Sequence, residues 1–197
     1  MRVAVYCGAN PGATPRFASA AAELGTALAA AGMTVVYGGA SRGLMGVLAD
    51  AALAAGGDVI GVLPSALDHR ELAHPSVTRL ERVATMHERK ARITELADAF
   101  AVLPGGIGTL DEFFEAWTWA QIGIHSKPIA LLDVDGYYQP LVGFLRGVVA
   151  AGFLAAERLE SITVCPGVPA LVAHLQAAPA LPSSWRAGHG TRTIPVP

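Results

Sequence analysis

Six short runs of β-branched and other apolar residues recur along the chain, and segments of helical length separate them. Strands that alternate with helices in this way form parallel sheets. Because the runs are almost wholly apolar, helices should cover both faces of the sheet. The pattern therefore predicts an α/β fold of one domain, with a doubly wound parallel sheet. The predicted strands are Val3–Cys7, Thr34–Tyr37, Val59–Leu63, Ala99–Leu103, Pro128–Leu132 and Ile162–Cys165.

The predicted domain spans residues 1–178. The last nineteen residues, 179–197, hold four prolines and show no period, which predicts an extended or disordered tail. Between residues 64 and 85 the chain is polar and irregular, and it is long for a connection between a strand and a helix. Long connections of this kind are often lids or binding loops.

Composition narrows the classes of partner. The chain has 197 residues, of which 52% are hydrophobic and 15% charged, and its net charge is −2. It has no basic field for nucleic acid or for an anionic membrane, so a small-molecule partner is expected. Residues 17–41 carry one charge, Glu23, but the pattern favours an alanine-rich helix and a short strand over a membrane span. Cys7 and Cys165 are expected to be buried thiols of a cytoplasmic protein, and no export signal is expected before Gly8.

A glycine-rich turn follows the fourth predicted strand. Gly105, Gly106 and Gly108 lead directly into an amphipathic helix. Glycine lets the backbone approach a ligand closely, and the N–H groups and positive dipole end of the helix favour a phosphate there. The turn lacks the third glycine of a dinucleotide fingerprint and the Gly-Lys-Ser/Thr of a Walker loop, so neither NAD nor a nucleoside triphosphate is indicated.

Glu112 lies one helical turn beyond this loop and has two interpretations. With Thr109 it has the spacing of a capping box, which would satisfy backbone donors at the start of the helix. The alternative is a carboxylate placed beside a bound phosphate, which suggests chemistry on a nucleotide. The spacing alone leaves both open.

Glycine-bearing turns also follow the first two predicted strands, at residues 8–12 and 38–43. The carboxyl ends of parallel strands meet at one edge of a sheet, which is where ligands bind in doubly wound folds. We therefore expect these two turns and the loop at 104–109 to converge on one site.

Arg89 follows the start of a predicted helix at Met86 and shares the spacing of Ile93 and Leu96, which places it on the apolar face. A guanidinium there is costly unless it meets an anion, and a phosphate or carboxylate in the site would supply one. The alternatives are an arginine that reaches the surface or pairs with a structural glutamate. A zinc helix is not indicated, because the position that would hold the second histidine is Ala91.

The helix after the glycine loop has a wide apolar stripe, which is usually core. Part of it could extend into a helix-on-helix face, so a homodimer is expected. The stripe comprises Leu110, Phe113, Phe114 and Trp117.

Taken together, two motifs are similar to those of the "lonely guy" cytokinin-activating phosphoribohydrolases. They are Met86-His87-Glu88-Arg89-Lys90 and Pro104-Gly105-Gly106-x-Gly108-Thr109-x-x-Glu112, and the resemblance extends over about residues 2–175. It implies a Rossmann-like fold, commonly dimeric, and hydrolysis of the N-glycosidic bond of cytokinin riboside 5′-monophosphates to free base and ribose 5-phosphate. No cofactor and no metal are implied.

The resemblance also implies roles for individual residues. Arg89 and Glu112 would be the catalytic pair, and Glu71 and Thr118 would be further substrate contacts. The phosphoribose would be held by Lys90 and by the loop and first helical turn, which comprise Gly105, Gly106, Ile107, Gly108, Thr109, Leu110 and Asp111. The chain departs from the family at Ala9-Asn10, where small hydroxyl residues are usual, which leaves the role of that loop open.

The residue types suit this reaction. Breaking the bond between ribose C1′ and a purine nitrogen passes through an oxocarbenium-like state, which a carboxylate near C1′ stabilises. Two other interpretations stay open: a general nucleoside 5′-monophosphate nucleosidase, and a non-catalytic molybdenum-cofactor carrier of the same fold. Lysine decarboxylation, a frequent label in this family, has little support, since the two lysines, Lys90 and Lys127, lie in the phosphoribose motif and at a strand start.

Overall fold

The computed structural model describes residues 1–68 and 73–177, in which strands and helices alternate. The predicted tail at 179–197 and the predicted contact Glu71 lie outside the described residues. The strands are β1 (Arg2–Tyr6), β2 (Thr34–Tyr37), β3 (Val59–Pro64), β4 (Arg79–Val83), β5 (Ala99–Val102), β6 (Ile129–Leu132) and β7 (Ile162–Cys165). The helices are α1 (Pro15–Ala30), α2 (Gly43–Ala54), α3 (Ser65–Asp68), α4 (Met86–Leu96), α5 (Ile107–Gln121), α6 (Gln139–Ala150), α7 (Ala156–Glu160) and α8 (Val168–Ala177), with a 3₁₀ turn at Val134–Gly136.

The strands form one seven-stranded sheet in the order β4-β3-β2-β1-β5-β6-β7. Every neighbouring pair is parallel, and Val3 of β1 pairs with Val35 of β2 on one side and Ala99 of β5 on the other. The order of the strands reverses between β1 and β5, which opens a crevice beyond their carboxyl ends. The predicted α/β, doubly wound parallel fold is confirmed.

The two faces of the sheet have separate cores, because alternate residues of each strand point to opposite sides. Val3 and Val5 of β1 belong to a cluster with α1, α2 and α8, while Ala4 and Tyr6 belong to one with α4, α5 and α6. Helices therefore cover both faces. In the predicted stripe of α5, Phe113 and Trp117 are buried while Leu110 and Phe114 pack partly buried against the second core.

The connection between β3 and α4 is more regular than the sequence predicts. It contains α3 and the edge strand β4, so the expectation of an irregular segment throughout residues 64–85 is wrong. β4 pairs only with β3, with Leu80 opposite Gly61, and its residues are exposed or half-buried. An edge strand can keep charged side chains in water. The charged residues Arg79, Glu81 and Arg82 interrupt the apolar run by which the other strands are recognised in the sequence.

Other predictions of local structure hold. The segment 17–41 contains most of α1 and all of β2, joined by a short turn. Among the described helices, none is long and apolar enough to cross a membrane. Cys7 and Cys165 are both buried free thiols.

Candidate active site

A cavity of about 710 Å³ opens at the carboxyl ends of the central strands. Three turns supply most of its wall: the β1–α1 turn, the β2–α2 turn and the β5–α5 loop. The expectation that these turns converge on one site is confirmed. Arg89 of α4 and Glu112 of α5 also line the cavity.

The three turns are stacked backbone against backbone. Gly8 donates its N–H to the carbonyl of Pro104 (3.1 Å), and Leu44 donates its N–H to the carbonyl of Gly8 (3.0 Å). A Cβ on Gly105 would overlap the side chain of Thr109 and lie 2.9 Å from the Gly8 nitrogen. The glycines are therefore required for the close approach of the turns that form the cavity wall.

The β5–α5 loop has the properties of an anion site. Helix α5 begins at Ile107, its N-cap Gly106 provides no side-chain cap, and the first N–H groups of a helix have no acceptor within it. A Cβ on either Gly106 or Gly108 would meet open space, and Ile107 is 83% exposed. The loop therefore offers backbone donors and the positive end of the helix dipole to a ligand.

The capping-box interpretation of Thr109 and Glu112 is wrong. Because α5 begins two residues before Thr109, that threonine is the third residue of the helix rather than its cap. The carboxylate of Glu112 instead accepts a hydrogen bond from Nη1 of Arg89, with 2.6 Å between Nη1 and Oε1. Glu112 is thus directed towards α4 and the cavity.

Arg89 is fixed by three neighbours. It pairs with Glu112, its Nε donates to the carbonyl of Val62 (3.1 Å), and its Nη2 packs against Gly38, where a Cβ would overlap it. The side chains of Arg89 and Glu112 are only 10% and 11% exposed. The prediction that Arg89 lies on the buried face is confirmed, and its anionic partner in this structure is Glu112.

Burial shapes the electrostatics of this pair. It raises the pKa of Glu112 above the ordinary value for a glutamate, by more than the attraction and hydrogen bond of Arg89 lower it. A carboxyl group with a raised pKa is better matched to proton transfer near neutral pH than an exposed one. The pair therefore combines a fixed orientation with a proton-transfer group.

Lys90 is not placed in the cavity wall. Its Nζ lies 3.1 Å from Oδ2 of Asp111 and 3.0 Å from Oε1 of Glu115. Burial lowers the pKa of Lys90, but the hydrogen bonds to the two carboxylates outweigh it and raise the pKa above its usual value. Asp111 does line the cavity, so Lys90 supports the wall from behind.

The structure brings the other predicted contacts together only in part. Thr118 is exposed on α5 two turns beyond the loop, and Leu110 packs partly buried against the core, so neither lines the cavity. Their assignment as substrate contacts, like that of Lys90, stays a prediction.

Several residues of the site were not predicted. The hydroxyl of Tyr137 donates to the carbonyl of Gly105 (2.5 Å), and the Tyr137 ring meets that of Phe17 edge to face at 5.7 Å. A turn with positive φ at Asp135 (53°) and Gly136 (77°) carries this tyrosine to the loop. The sequence Asp135-Gly136-Tyr137-Tyr138 suggests a turn followed by two tyrosines, but it does not indicate what Tyr137 contacts.

Further cavity-lining residues carry one charge and several apolar groups: Arg42, Ala40, Met45, Leu63 and Met86. Across residues 1–68 and 73–177, no group of three or more His, Cys, Asp or Glu side chains is placed to hold a metal ion.

Comparison with known proteins identifies the family. A family model described as "Possible lysine decarboxylase" matches residues 45–175, which include both catalytic candidates and the whole β5–α5 loop. The cytokinin riboside 5′-monophosphate phosphoribohydrolase LOG of Oryza sativa subsp. japonica is 45% identical over 175 residues, 89% of this chain and 72% of that protein. The chain belongs to this phosphoribohydrolase family. The enzyme of the same name from Rhodococcoides fascians is 42% identical over 176 residues, 89% of each chain.

Solved structures agree on the fold. The molybdenum cofactor carrier protein of Chlamydomonas reinhardtii superposes with a TM-score of 0.66 over 89% of this chain and 95% of its own, at 22% sequence identity. At that identity the likeness concerns the fold alone.

Proposed function

We propose that the protein hydrolyses the N-glycosidic bond of cytokinin riboside 5′-monophosphates, releasing the free base and ribose 5-phosphate. One observation carries the proposal: the Arg89–Glu112 pair lies one helical turn beyond an uncapped, glycine-rich helix N-terminus, and both line one cavity. The two enzymes named above, at 42% and 45% identity, support the same reaction.

The substrate phosphate binds at the β5–α5 loop. The backbone from Gly105 to Thr109 and the first turn of α5, through Leu110 and Asp111, surround the 5′-phosphate. Phosphate binding remote from the bond that breaks supplies orientation, so the energy of that contact lowers the barrier at C1′. A riboside without phosphate is therefore a poor substrate.

Glu112 acts at the ribose. Its Oε1 is held by Arg89, and within the described residues its Oε2 accepts no hydrogen bond. This second oxygen faces the positive charge that develops at C1′ and directs a water molecule to that carbon. The water hydroxyl bonds to C1′, the bond to the base nitrogen breaks, and the remaining proton reaches the base. Arg89 orients the carboxylate throughout, and the chemistry needs neither cofactor nor metal.

The apolar side chains of the cavity support a base with an apolar substituent. Met45 lies beside Gly38, with its Sδ 3.1 Å from the position of a Cβ there, and Leu63 and Met86 line the same cavity. They provide an apolar surface beside the Arg89 guanidinium. An N6-isopentenyl group is better suited to this surface than the bare amino group of adenine.

The proposal includes the assembly and location of the protein. Ile122 and Ile124, just beyond α5, are 66% and 60% exposed, and apolar side chains of this kind support a homodimer. Two free, buried thiols support a cytoplasmic location. We retain Lys90, Thr118 and Glu71 as proposed substrate contacts, and residues 1–178 as the catalytic domain.

The test is release of free base, measured by chromatography, from three compounds: N6-isopentenyladenosine 5′-monophosphate, AMP and N6-isopentenyladenosine. We expect efficient release from the first only. Equal turnover of AMP would indicate a general nucleotide nucleosidase, and equal turnover of the riboside would contradict the role of the phosphate loop. No release from any of the three, with a pterin retained by the purified protein, would indicate a carrier.

A further inference from the structure

Three of the four charged side chains that line the cavity already pair with a side chain of opposite charge. Its acidic and basic side chains are Arg42, Arg89, Asp111 and Glu112. Arg89 is held by Glu112, and Asp111 is held by Lys90, which lies outside the wall. Without Arg42, the side chains lining the cavity would therefore carry a net negative charge, which opposes the binding of a phosphate.

Arg42 is the N-cap residue of α2 and is exposed. Within residues 1–68 and 73–177 it forms no ion pair, whereas Arg16 pairs with Asp135 at 2.5 Å and Arg92 pairs with Glu81 at 2.7 Å. A guanidinium that lines a cavity and has no carboxylate partner is suited to a ligand anion. Its planar set of donors matches two phosphate oxygens at once.

The backbone holds Arg42 near the phosphate loop. The next residue, Gly43, has a φ of +59°, and a Cβ there would overlap the Ala9 carbonyl and lie 2.6 Å from the Asn10 nitrogen. Leu44 is hydrogen-bonded to Gly8, which in turn is bonded to Pro104. The β1–α1 turn, residues 8–12, thus links the turn that holds Arg42 to the phosphate loop, and it carries no charge that could screen the guanidinium.

We infer that Arg42 is the cation that binds the 5′-phosphate of the substrate, together with the N-terminus of α5. The inference rests on the proposed function, because it assigns a residue to the phosphate of that substrate. It gives the cationic role to Arg42 rather than to Lys90, whose ammonium is held by two carboxylates. The class of ligand is a monoester of phosphate on ribose.

The test compares Arg42→Gln and Arg42→Lys with Arg146→Gln. Arg146 is an exposed arginine of α6 that does not line the cavity, so its variant controls for the loss of one positive charge. For N6-isopentenyladenosine 5′-monophosphate, we expect Arg42→Gln to raise KM and to lower kcat, so that kcat/KM falls about tenfold or more, as loss of a charge-assisted hydrogen bond to the phosphate predicts. Arg146→Gln should keep kcat/KM within about twofold of the wild type. The KM of Arg42→Lys should lie between the KM of the wild type and that of Arg42→Gln. The KM of the wild type should also depend more steeply on salt concentration than the KM of Arg42→Gln.

Calorimetry with ribose 5-phosphate measures the same contact without turnover. We expect Arg42→Gln to weaken this binding about tenfold, with the melting temperature unchanged. Binding that is unchanged in Arg42→Gln but weakened in Lys90→Gln would overturn the inference, as would an equal effect of Arg42→Gln and Arg146→Gln. If the wild type binds ribose 5-phosphate through Arg42 but releases no base, the proposed function fails while the inference holds.

Discussion

Gly38 is the position where one added methyl group tests the active-site geometry. Its backbone conformation is open to any residue, but a Cβ there would overlap Nη2 of Arg89 and lie 3.0 Å from its Cζ. The overlapped group is the far end of a flexible side chain. Gly38→Ala should therefore leave the backbone in place and displace the guanidinium from Glu112 and from the carbonyl of Val62.

The size of the effect follows from the two hydrogen bonds of Arg89, at 2.6 Å to Glu112 and 3.1 Å to Val62. A hydrogen bond to a charged group contributes about 1.5–3 kcal/mol, and water in the cavity replaces part of this. We expect a loss of about 2 kcal/mol in unfolding free energy, or roughly 4–8 °C in melting temperature for a domain of this size. Misplacing a catalytic group by about 1 Å costs on the order of 100-fold in kcat.

The assay is kcat for N6-isopentenyladenosine 5′-monophosphate together with a thermal melt. Gly143→Ala is the matched control, because Gly143 lies in α6, has open space where a Cβ would be, and is remote from the cavity. This control should keep full activity and gain up to about 1 kcal/mol of stability from improved helix propensity. If Gly38→Ala matched Gly143→Ala in kcat, the position of the Arg89 guanidinium would not matter to the reaction.

Three further predictions concern pH and assembly. Because burial raises the pKa of Glu112, activity should rise with pH through an acid limb that lies above about 4.3, the ordinary glutamate value; a pH–rate profile with a lower limb would contradict this. Burial lowers the pKa of His125 to about 4, so the unfolded chain binds more protons, and stability should fall by up to about 3 kcal/mol as the pH drops from about 6.5 to 4. In denaturant titrations, His125→Asn should reduce this dependence of the unfolding free energy on pH. An unchanged dependence would mean that other groups cause it. Replacing Ile122 and Ile124 together by lysine should convert the proposed dimer to a monomer in light scattering, and a variant that stays dimeric would contradict this interface.

The sequence predicted the fold well because parallel strands buried on both faces leave a strong apolar signal. Six of the seven strands were recognised from that signal. The missed strand, β4, lies at an edge, where one partner and exposed charges such as Arg79 are tolerated. This strand forms because it pairs with β3, and its own residues contain no apolar pattern that would predict the pairing.

The site was predicted less completely, since side-chain contacts depend on the tertiary fold. Sequence spacing placed Arg89 on a buried face. It did not decide whether Glu112 caps a helix or acts as an acid of the site, because that depends on the start of α5, which is Ile107. It did not place Lys90, whose partners lie on another helix. It also gave no role to Arg42, because a charged residue in a glycine turn has no signal of its own before the neighbouring turns are stacked.

The most direct measurement compares the wild type with Glu112→Gln on N6-isopentenyladenosine 5′-monophosphate, with product quantified as free base and as ribose 5-phosphate. Glu95→Gln is the control, since Glu95 is an exposed glutamate paired with Arg92 and does not line the cavity. We expect equal amounts of both products from the wild type and the control, and a turnover rate lower by on the order of 100-fold or more in Glu112→Gln. Turnover by Glu112→Gln at the wild-type rate would contradict the role of Glu112 in the reaction.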